Sequence, residues 1–265
     1  MIHPTATVNP KAKLDDSVVV GPYTVIEEGV MIGPNCVVGP HCHFTGQTQI
    51  GADNRFHAGC VIGDAPQDLK YKGEPTGLQI GTGNVFREQV TVHRSSKPEE
   101  RTVIGSHNFL MVNSHVGHNC RVGDHVILAN SALLGGHVTV QDRAFISGNC
   151  SVHQFVRVGT LALMQGNSAI SMDLPPYTMV RGINLLCGLN IIGLRRAGAT
   201  SEQRLELKRL YHLLFRSALS RNEALEQAGQ PEPGSPATTL IEFVRASKRG
   251  VCADPGRGSA DEEAP

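Results

Sequence analysis

Histidine is the residue type whose distribution in this chain points most directly to chemistry. Twelve of the 265 residues are histidine, and seven of these lie between positions 93 and 153. An imidazole can accept a proton near neutral pH as a general base, and it is also a common metal ligand. The chemistry to be weighed is therefore proton transfer or metal binding by His93, His107, His115, His118, His125, His137 and His153.

A repeat of six residues determines which of these side chains can meet. An apolar residue occupies every sixth position from Ile2 to Ile170, and among those 29 positions only Asp68, Glu74 and Pro98 break the rule. A fixed short period is typical of a solenoid, in which each unit buries its apolar face only by stacking on its neighbours. The pattern resembles the hexapeptide repeat of left-handed parallel β-helices, which implies three hexads, or 18 residues, in each triangular coil.

A second inward position, two residues before each apolar one, carries small side chains. Positions two apart on a strand point to the same face, so both residues face the interior. Glycine often follows the apolar residue, where we expect it to ease a turn conformation that costs other residues more. Five of the seven cysteines occupy the small position and are expected to be buried thiols rather than disulfides or nucleophiles: Cys36, Cys42, Cys60, Cys120 and Cys150.

The 18-residue spacing brings one histidine next to bare backbone. Adding 18 moves one coil along the same wall, so His118, Gly136 and Gln154 form a column, with His137 and His153 beside it. Neighbouring coils are about 4.8 Å apart, which places the imidazole of His118 within reach of the backbone of Gly136. This arrangement favours general-base chemistry.

A metal site is the weaker alternative for the same cluster. His115 and His118 are three residues apart, whereas the trimeric carbonic anhydrases built on this fold pair two histidines five apart. The wall that carries His118 has no such pair, so we expect no metal. Outside the column, solvated side chains are expected for His41, His107 and His125.

The composition argues against several classes of partner. The chain has 24 acidic and 24 basic residues and a formal net charge of zero. Such a balance gives no broad electrostatic case for binding nucleic acid or a membrane surface. The sequence lacks an apolar run long enough to cross a bilayer, and its first residues lack the regions of a signal peptide. We therefore expect a cytoplasmic protein with no transmembrane segment and no nucleic-acid partner.

Two polar segments interrupt the repeat, which ends well before the last residue. Residues 64–79 and 94–101 are predicted to be loops that project from the prism, where binding groups concentrate. The sequence predicts a β-helix over 1–187, a helical domain over 188–252 and a disordered tail over 253–265.

Within the helical domain the apolar pattern predicts two helices. One begins near Ser201, which is a plausible N-cap, and the other covers roughly 237–248. The predicted architecture is an all-β left-handed parallel β-helix followed by a small α-helical domain.

Seven segments of the chain carry more specific motifs. In order they are DLKYKGEPT at 68–76, TVHR at 91–94, NSHVGHNC at 113–120, LANSALLGGHV at 128–138, VHQF at 152–155, DLPPY at 173–177 and GLNIIGLRRAG at 188–198. Together they resemble the UDP-N-acetylglucosamine acyltransferase family, and the resemblance covers about residues 1–250. A generic hexapeptide acetyltransferase would share only the repeat.

The resemblance implies a homotrimeric acyltransferase of the first step of lipid A synthesis. Such an enzyme moves an (R)-3-hydroxyacyl chain from acyl carrier protein to the 3-hydroxyl of UDP-N-acetylglucosamine, with no cofactor. In this chain His118 matches the general base, and the backbone N–H of Gly136 matches the donor to the oxyanion of the tetrahedral intermediate.

The resemblance also assigns substrate positions. Gly166 matches the position that sets the length of the acyl chain, and it stacks in one column with Gly148 on another wall. The residues matching substrate-binding positions are Gln67, Asp68 and Lys70 on the first loop, His93, His115, His137, His153 and Gln154 near the base, and Asn190 and Arg196 at the start of the helical domain.

Three departures from the family pattern qualify these assignments. Asn119 follows the base where an aspartate is often found, Ile192 stands where a glutamate can meet the nucleotide, and Ala197 replaces an arginine. Three rivals stay open: a related enzyme using a 3-amino UDP-sugar, an N-acyltransferase of the same pathway, and a carbonic anhydrase-like metal-binding β-helix. The N-acyltransferase is disfavoured, because it would carry a uridine-binding domain before the repeats and here the repeat begins at Ile2.

Overall fold

A computed structural model describes residues 1–256 of the chain. These residues form a left-handed parallel β-helix followed by four α-helices. The strands fall into three sheets, which are the three walls of a triangular prism. All strand pairs between coils are parallel, and only the last two strands pair antiparallel.

Each wall takes one strand from each coil. Wall 1 contains β1 (Thr7–Val8), β4 (Val25–Ile26), β7 (His43–Phe44), β10 (Val61–Asp64), β13 (Thr91–His93), β16 (His115–Val116), β19 (Leu133–Leu134), β22 (Ser151–Val152) and β25 (Ala169–Ile170). Wall 2 contains β2 (Lys13–Leu14), β5 (Met31–Ile32), β8 (Gln47–Ile50), β11 (Gly77–Ile80), β14 (Arg101–Ile104), β17 (Arg121–Val122), β20 (Thr139–Val140) and β23 (Arg157–Val158). Wall 3 contains β3 (Val19–Val20), β6 (Val37–Val38), β9 (Arg55–Phe56), β12 (Val85–Phe86), β15 (Phe109–Leu110), β18 (Ile127–Leu128), β21 (Phe145–Ile146), β24 (Leu163–Met164), β26 (Thr178–Arg181) and β27 (Leu185–Leu189).

Three corners join these walls. The first corner links wall 1 to wall 2, the second links wall 2 to wall 3, and the third links wall 3 back to wall 1. A pair such as His115 with Leu133 lies 18 residues apart in register, so each coil without an insertion contains three hexads. This confirms the coil length that the repeat predicts.

The interior of the prism is built from the predicted inward positions. The apolar sixth residues from Val20 to Ile170 are buried, and the rings of Phe56 and Phe86 stack with centroids 4.6 Å apart. The five inward cysteines are buried and are free thiols, as predicted. Burial raises the pKa of Cys120 to about 12, so this thiol is not a nucleophile at neutral pH.

The glycines that follow the apolar positions have a different role from the predicted one. Only Gly63 among them has a positive φ, whereas the left-handed conformation recurs at non-glycine corner residues such as Asn119 and His137. A Cβ on Gly117 would lie 2.8 Å from the carbonyl oxygen of Leu134 on the next coil. These glycines are therefore needed for the close approach of successive coils, not for turn conformation.

The two predicted loops both project from the first corner. They span 65–76 and 94–100, slightly less than predicted, because the outer residues of each segment extend β10, β11 and β14. Arg94 connects the loops to the prism: its Nη1 donates to the carbonyl oxygen of Gly63 at 2.7 Å, and its Nη2 donates to the hydroxyl of Tyr71 at 3.1 Å.

The C-terminal unit contains more helix than the sequence predicts. The helix expected near 201 is present, but its N-cap is Thr200, whose hydroxyl accepts from the backbone N–H of Gln203, so Ser201 is the first helical residue. The helix expected at 237–248 ends three residues earlier, and two short helices were not predicted. The helices are α1 (Ile191–Arg196), α2 (Ser201–Arg216), α3 (Arg221–Ala228) and α4 (Pro236–Arg245).

A buried carboxylate ties this unit to the prism. Asp173 Oδ2 accepts hydrogen bonds from Arg157 Nη2 and from the Ser247 hydroxyl, both at 2.8 Å. The Arg157 guanidinium also lies over the ring of Phe243 at 4.2 Å. No helix within residues 1–256 has the length and apolar character needed to span a membrane.

The predicted disordered tail begins too early. Ala253 bridges to Leu185, and Asp254 Oδ2 accepts hydrogen bonds from the Tyr211 hydroxyl and from Arg216 Nε, at 2.5 and 2.7 Å. The composition of this segment is polar, but its carboxylate has specific partners that a compositional argument does not detect. The rest of the predicted tail, 257–265, lies outside the described residues.

Candidate active site

His118 is held at the first corner, between β16 and β17, with one ring nitrogen occupied. Its Nδ1 lies 2.8 Å from Oδ1 of Asn119. An amide oxygen can only accept, so Nδ1 carries the proton in this contact. The neutral imidazole then has its lone pair on Nε2, which is the atom able to take a proton from a substrate.

Gly136 lies directly against that free nitrogen. A Cβ on Gly136 would lie 2.6 Å from His118 Nε2, so any larger residue would displace the imidazole. The carbonyl oxygen of Gly136 accepts from the backbone N–H of Phe155 at 3.0 Å, whereas its own N–H has no acceptor within residues 1–256. A ring nitrogen with a free lone pair and a free backbone donor therefore adjoin the same space.

His93, which is buried, and His115, which is half-buried, form a pair on wall 1 next to His118. Their rings meet edge to face with centroids 4.9 Å apart, and His115 Nδ1 lies 2.7 Å from the hydroxyl of Thr91. Burial, aided by His93 and His118, lowers the pKa of His115 to about 4, and burial also lowers the pKa of His93. Both rings are therefore neutral at neutral pH. Within the described residues, Nδ1 of His93 has no hydrogen-bond partner.

His137 lies one coil above His118, at the same corner, and its backbone N–H donates to the carbonyl oxygen of His118 at 2.9 Å. The centroid of its ring is 5.2 Å from that of His118, with an angle of 86° between the ring planes. The same ring stacks on that of Phe155, with centroids 4.5 Å apart and 13° between the planes. Burial lowers its pKa, followed in effect by the charge on His118. His153 and Gln154 follow on the next coil with exposed side chains. The predicted column is therefore present, with Phe155 as a member that the column of histidines did not include.

The loop 65–76 brings the next group of predicted residues to the same corner. Asp68 Oδ1 accepts from the backbone N–H of Lys70 at 2.9 Å, and its charge favours protonation of His137, although burial outweighs it. Gln67 and Lys70 are exposed, and Leu69 between them is fully exposed. Within residues 1–256, none of these side chains is hydrogen-bonded to His118.

Asn190 and Arg196 lie elsewhere in the chain. They line a largely apolar groove of about 690 Å³ between α1 and wall 3. The amide of Asn190 caps α1, because Oδ1 accepts from the Gly193 N–H and Nδ2 donates to the Leu161 carbonyl oxygen, both at 2.9 Å. Within one chain the predicted site residues thus form two groups, with Gly166 separate from both at the third corner.

Sequence reasoning missed Glu100, whose carboxylate accepts a hydrogen bond from Asn119 Nδ2. Ser96 was missed as well; its backbone N–H and its hydroxyl both donate to Asn119 Oδ1 at 3.0 Å. The signal was available, because subtracting 18 from His118 gives Glu100, and β14 pairs with β17 at that offset. Assigning the whole of 94–101 to a loop removed Glu100 from the column.

No group of three or more His, Cys, Asp or Glu side chains within residues 1–256 is placed to hold a metal ion.

Two family models match the chain in its two structural units. The model described as bacterial transferase hexapeptide (six repeats) matches residues 29–64 and 101–136. The model described as Udp N-acetylglucosamine O-acyltransferase, Domain 2, matches residues 173–252.

Relatives and solved structures of the same kind match over nearly the whole length. The acyl-(acyl-carrier-protein)–UDP-N-acetylglucosamine O-acyltransferases of Thermodesulfovibrio yellowstonii and Halorhodospira halophila are each 44% identical to this chain. The alignments cover 95% and 94% of this chain, respectively, and 98% of each relative. The crystal structure of Francisella novicida UDP-N-acetylglucosamine acyltransferase superposes with a TM-score of 0.93 at 35% identity, covering 99% of this chain and 97% of that one.

Proposed function

This chain belongs to the UDP-N-acetylglucosamine O-acyltransferase family, and from that membership we propose how its own residues carry the reaction. It is an acyltransferase that moves a 3-hydroxyacyl chain from acyl carrier protein to the 3-hydroxyl of UDP-N-acetylglucosamine, the first step of lipid A biosynthesis. The single observation that supports the assignment of the active site is the free Nε2 of His118 beside the free N–H of Gly136.

In the proposed mechanism His118 Nε2 takes the proton from the 3-hydroxyl of the sugar. The resulting oxygen attacks the thioester carbonyl, and the N–H of Gly136 donates to the oxyanion of the tetrahedral intermediate. When the intermediate collapses, the carbon–sulfur bond breaks, and the proton on His118 passes to the leaving thiolate. No step forms a covalent bond between enzyme and substrate.

The neighbouring pair of His93 and His115 fits the role of substrate positioning. His93 and His115 are neutral at neutral pH, so each can donate or accept a hydrogen bond without adding charge beside the base. Gln67, Asp68, Lys70, His137, His153 and Gln154 complete this group of proposed substrate-binding residues.

We infer a cyclic homotrimer from the separation of the site residues within one chain. The first corner carries His118 and is convex, whereas substrate pockets are usually concave. Packing of prisms around a threefold axis would close that corner against a neighbouring chain and bring the Asn190 and Arg196 groove of one chain towards a site in another. The fully exposed Leu69 supports this arrangement, because an apolar side chain at a loop tip is suited to an interface.

Acyl carrier protein is the proposed macromolecular partner, and the cytoplasm is the proposed compartment. The family's donor is carried on that protein, so the enzyme must meet it where it is made. The cysteines within residues 1–256 are free thiols, which suits a reducing compartment.

The decisive experiment for the substrate is a product-mass assay. Purified enzyme is incubated with a panel of 3-hydroxyacyl carrier proteins and with either UDP-N-acetylglucosamine or its 3-amino analogue. We expect an ester product from the hydroxyl sugar, which is stable in neutral buffer and is hydrolysed by mild base. If only the 3-amino analogue were acylated, the acceptor of this enzyme would be the 3-amino sugar and not UDP-N-acetylglucosamine.

A second experiment tests the assembly. Co-purified mixtures of His118→Ala and Lys70→Ala chains should recover activity that neither variant has alone, because some interfaces would combine an intact base with an intact loop. Each variant alone at the same total concentration is the control. An active monomer in light scattering would contradict the trimer.

A further inference from the structure

The carboxylate of Glu100 lies behind His118, with one amide group between them. Asn119 Nδ2 donates to Glu100 Oε2 at 2.5 Å, and Asn119 Oδ1 lies 2.8 Å from His118 Nδ1. We propose that Glu100 and Asn119 are positioning residues that together fix the tautomer and the direction of the His118 imidazole. The inference rests on the proposed role of His118 as the base.

Two contacts independently determine which atom of the Asn119 amide faces His118. The backbone N–H of Ser96 can only donate, and it lies 3.0 Å from Oδ1. The ionised carboxylate of Glu100 can only accept, and it contacts Nδ2. Both contacts require the same orientation of the amide, so the assignment of oxygen and nitrogen does not depend on His118 itself. His118 Nδ1 must then be the protonated nitrogen.

Glu100 is held in the state that this arrangement needs. Its Oε1 lies 3.1 Å from Nζ of Lys97, and this hydrogen bond holds the pKa of the carboxyl below its usual range. Without the carboxylate, the Asn119 amide loses the acceptor for its NH2 group. A rotated amide would turn NH2 towards Nδ1 and favour the tautomer protonated at Nε2, which cannot act as the base.

The charge on Glu100 also matters when His118 becomes an imidazolium. Burial lowers the pKa of the three neighbouring histidines, so they add no positive charge at neutral pH. A carboxylate one amide away can therefore stabilise the positive charge of the imidazolium that forms when His118 takes the substrate proton. The ionisable groups next to His118 are His93 on β13, His115 on β16 and His137 between β19 and β20. The charges of Lys97 and Glu100 on loop 94–100 and of Asp68 on loop 65–76 act on His137 at the same corner.

The backbone around these residues is anchored without the Glu100 side chain. The N–H of Asn119 donates to the hydroxyl of Thr102 at 2.8 Å. The hydroxyl of Ser95 donates to the carbonyl oxygen of Glu100 at 2.6 Å. Substituting the side chain of Glu100 therefore tests its chemistry with the loop still attached.

The first test compares Glu100→Ala and Glu100→Gln with Glu99→Gln, which changes an exposed carboxylate on the same loop. Glu100→Ala should lower kcat by about tenfold to a hundredfold, because a charge-assisted hydrogen bond is lost and the amide can rotate. Glu100→Gln retains an acceptor for Asn119, so it should lose less kcat but move the acidic limb of the pH profile of kcat/KM to lower pH by about half a unit to one unit. Glu99→Gln should match the wild type in both respects.

Exchanging the amide at position 119 with the carboxylate at position 100 gives a more specific test. Asn119→Asp alone places two carboxylates in contact, which should lower activity through repulsion and through a shared proton. The double variant Asn119→Asp/Glu100→Gln restores a donor facing an acceptor and moves the carboxylate next to His118. It should therefore exceed the single Asn119→Asp variant in kcat, and its acidic limb should lie at higher pH than that of the wild type.

Imidazole ¹⁵N chemical shifts measure the tautomer without any substrate. The His118 signals are identified by their loss in His118→Ala. We expect a proton on Nδ1 in the wild type and in Glu100→Gln, and a mixture of tautomers in Glu100→Ala. Unchanged tautomer and pH profile in both Glu100 variants, or a double variant no better than Asn119→Asp, would overturn the inference about Glu100. Full activity of His118→Ala would instead overturn the proposed mechanism, so the two failures are distinct.

Discussion

The first and second corners of the prism carry the same residue types in closely similar geometry. At the first corner His118 lies against Gly136; at the second, His107 lies against Gly83 and its ring stacks on that of His125 at 5.2 Å. A Cβ on Gly83 would lie 2.7 Å from a nitrogen of His107, nearly the distance found at Gly136. Yet the rings of His107 and His125 have no hydrogen-bond partner within residues 1–256.

The difference between the corners comes from the loops. Loops 65–76 and 94–100 both leave the prism at the first corner, and the second of them supplies the groups that fix the tautomer of His118. At the second corner the strands are joined by tight turns, and the imidazoles face solvent. A regular solenoid therefore presents many equivalent histidines, and the inserted loops decide which one can act as a base.

The largest expected effect comes from removing each histidine in turn. His118→Ala should lower kcat by a factor of about 10² to 10⁴, because general-base catalysis is lost while the fold is retained. His107→Ala is the matched change at the second corner and should leave kcat unchanged. Steady-state kinetics with circular dichroism as a check on folding measures both.

These two variants test directly whether the loops at the first corner select the catalytic histidine. Near-wild-type turnover by His118→Ala would show that the loops do not select the base. A comparable loss in His107→Ala would show that the second corner takes part in the reaction.

The glycines opposite the two histidines give the next largest effect. Gly136→Ala places a methyl group only 2.6 Å from His118 Nε2, so we expect kcat to fall by about 10²-fold through displacement of the base and of the oxyanion donor. Gly83→Ala also meets an imidazole and, at φ +69°, should cost about 1 kcal/mol of stability without loss of kcat. Kinetics and urea denaturation of the two variants, measured together, separate these outcomes.

The pair of His93 and His115 should make the stability of the protein sensitive to acid. The folded-state pKa of His115, about 4, lies below the ordinary value of about 6.5, so below that value the unfolded chain binds a proton that the folded chain does not. The contribution of His115 to the free energy of unfolding is therefore fully present above about pH 6.5 and decreases as the pH falls towards 4. The decrease is at most about 2 kcal/mol between pH 7 and pH 5. His115→Asn should flatten this dependence in urea denaturation, and His107→Asn should not.

The fold was predictable because each hexad buries its apolar residue by contact with its neighbours alone. The same arithmetic located His118, Gly136 and His137, and the breaks at Asp68 and Pro98 marked the two loops. The role of the glycines was misjudged, since a glycine that lets coils approach and one that adopts a positive φ look alike in sequence.

The helical unit was harder to predict because its helices are short and their stability depends on tertiary contacts. Helix α3 could have been found from Ser220 and Glu223, which form a capping box. The contact of Asp173 with Arg157 and Ser247 joins positions far apart in the chain, and nothing in the spacing indicates it. The link between Glu100 and Asn119 was in register, but the loop assignment concealed it.

The third corner offers the smallest and most specific test, because its column contains glycine without histidine. A Cβ on Gly166 would meet only the carbonyl oxygen of Gly148, at 3.6 Å, and neither glycine has a positive φ, so turn geometry does not require glycine at either position. Gly166→Met should therefore fold and should shift preference towards shorter 3-hydroxyacyl donors, by about fourfold for each methylene that loses about 0.8 kcal/mol of burial.

His125→Met adds the same side chain at the second corner and should leave the donor ratio unchanged. Competition between long and short donors, read by product mass, measures the ratio. An unchanged ratio in Gly166→Met would mean that the acyl chain does not pass this corner, and the measuring surface would have to be sought in the apolar groove between α1 and wall 3.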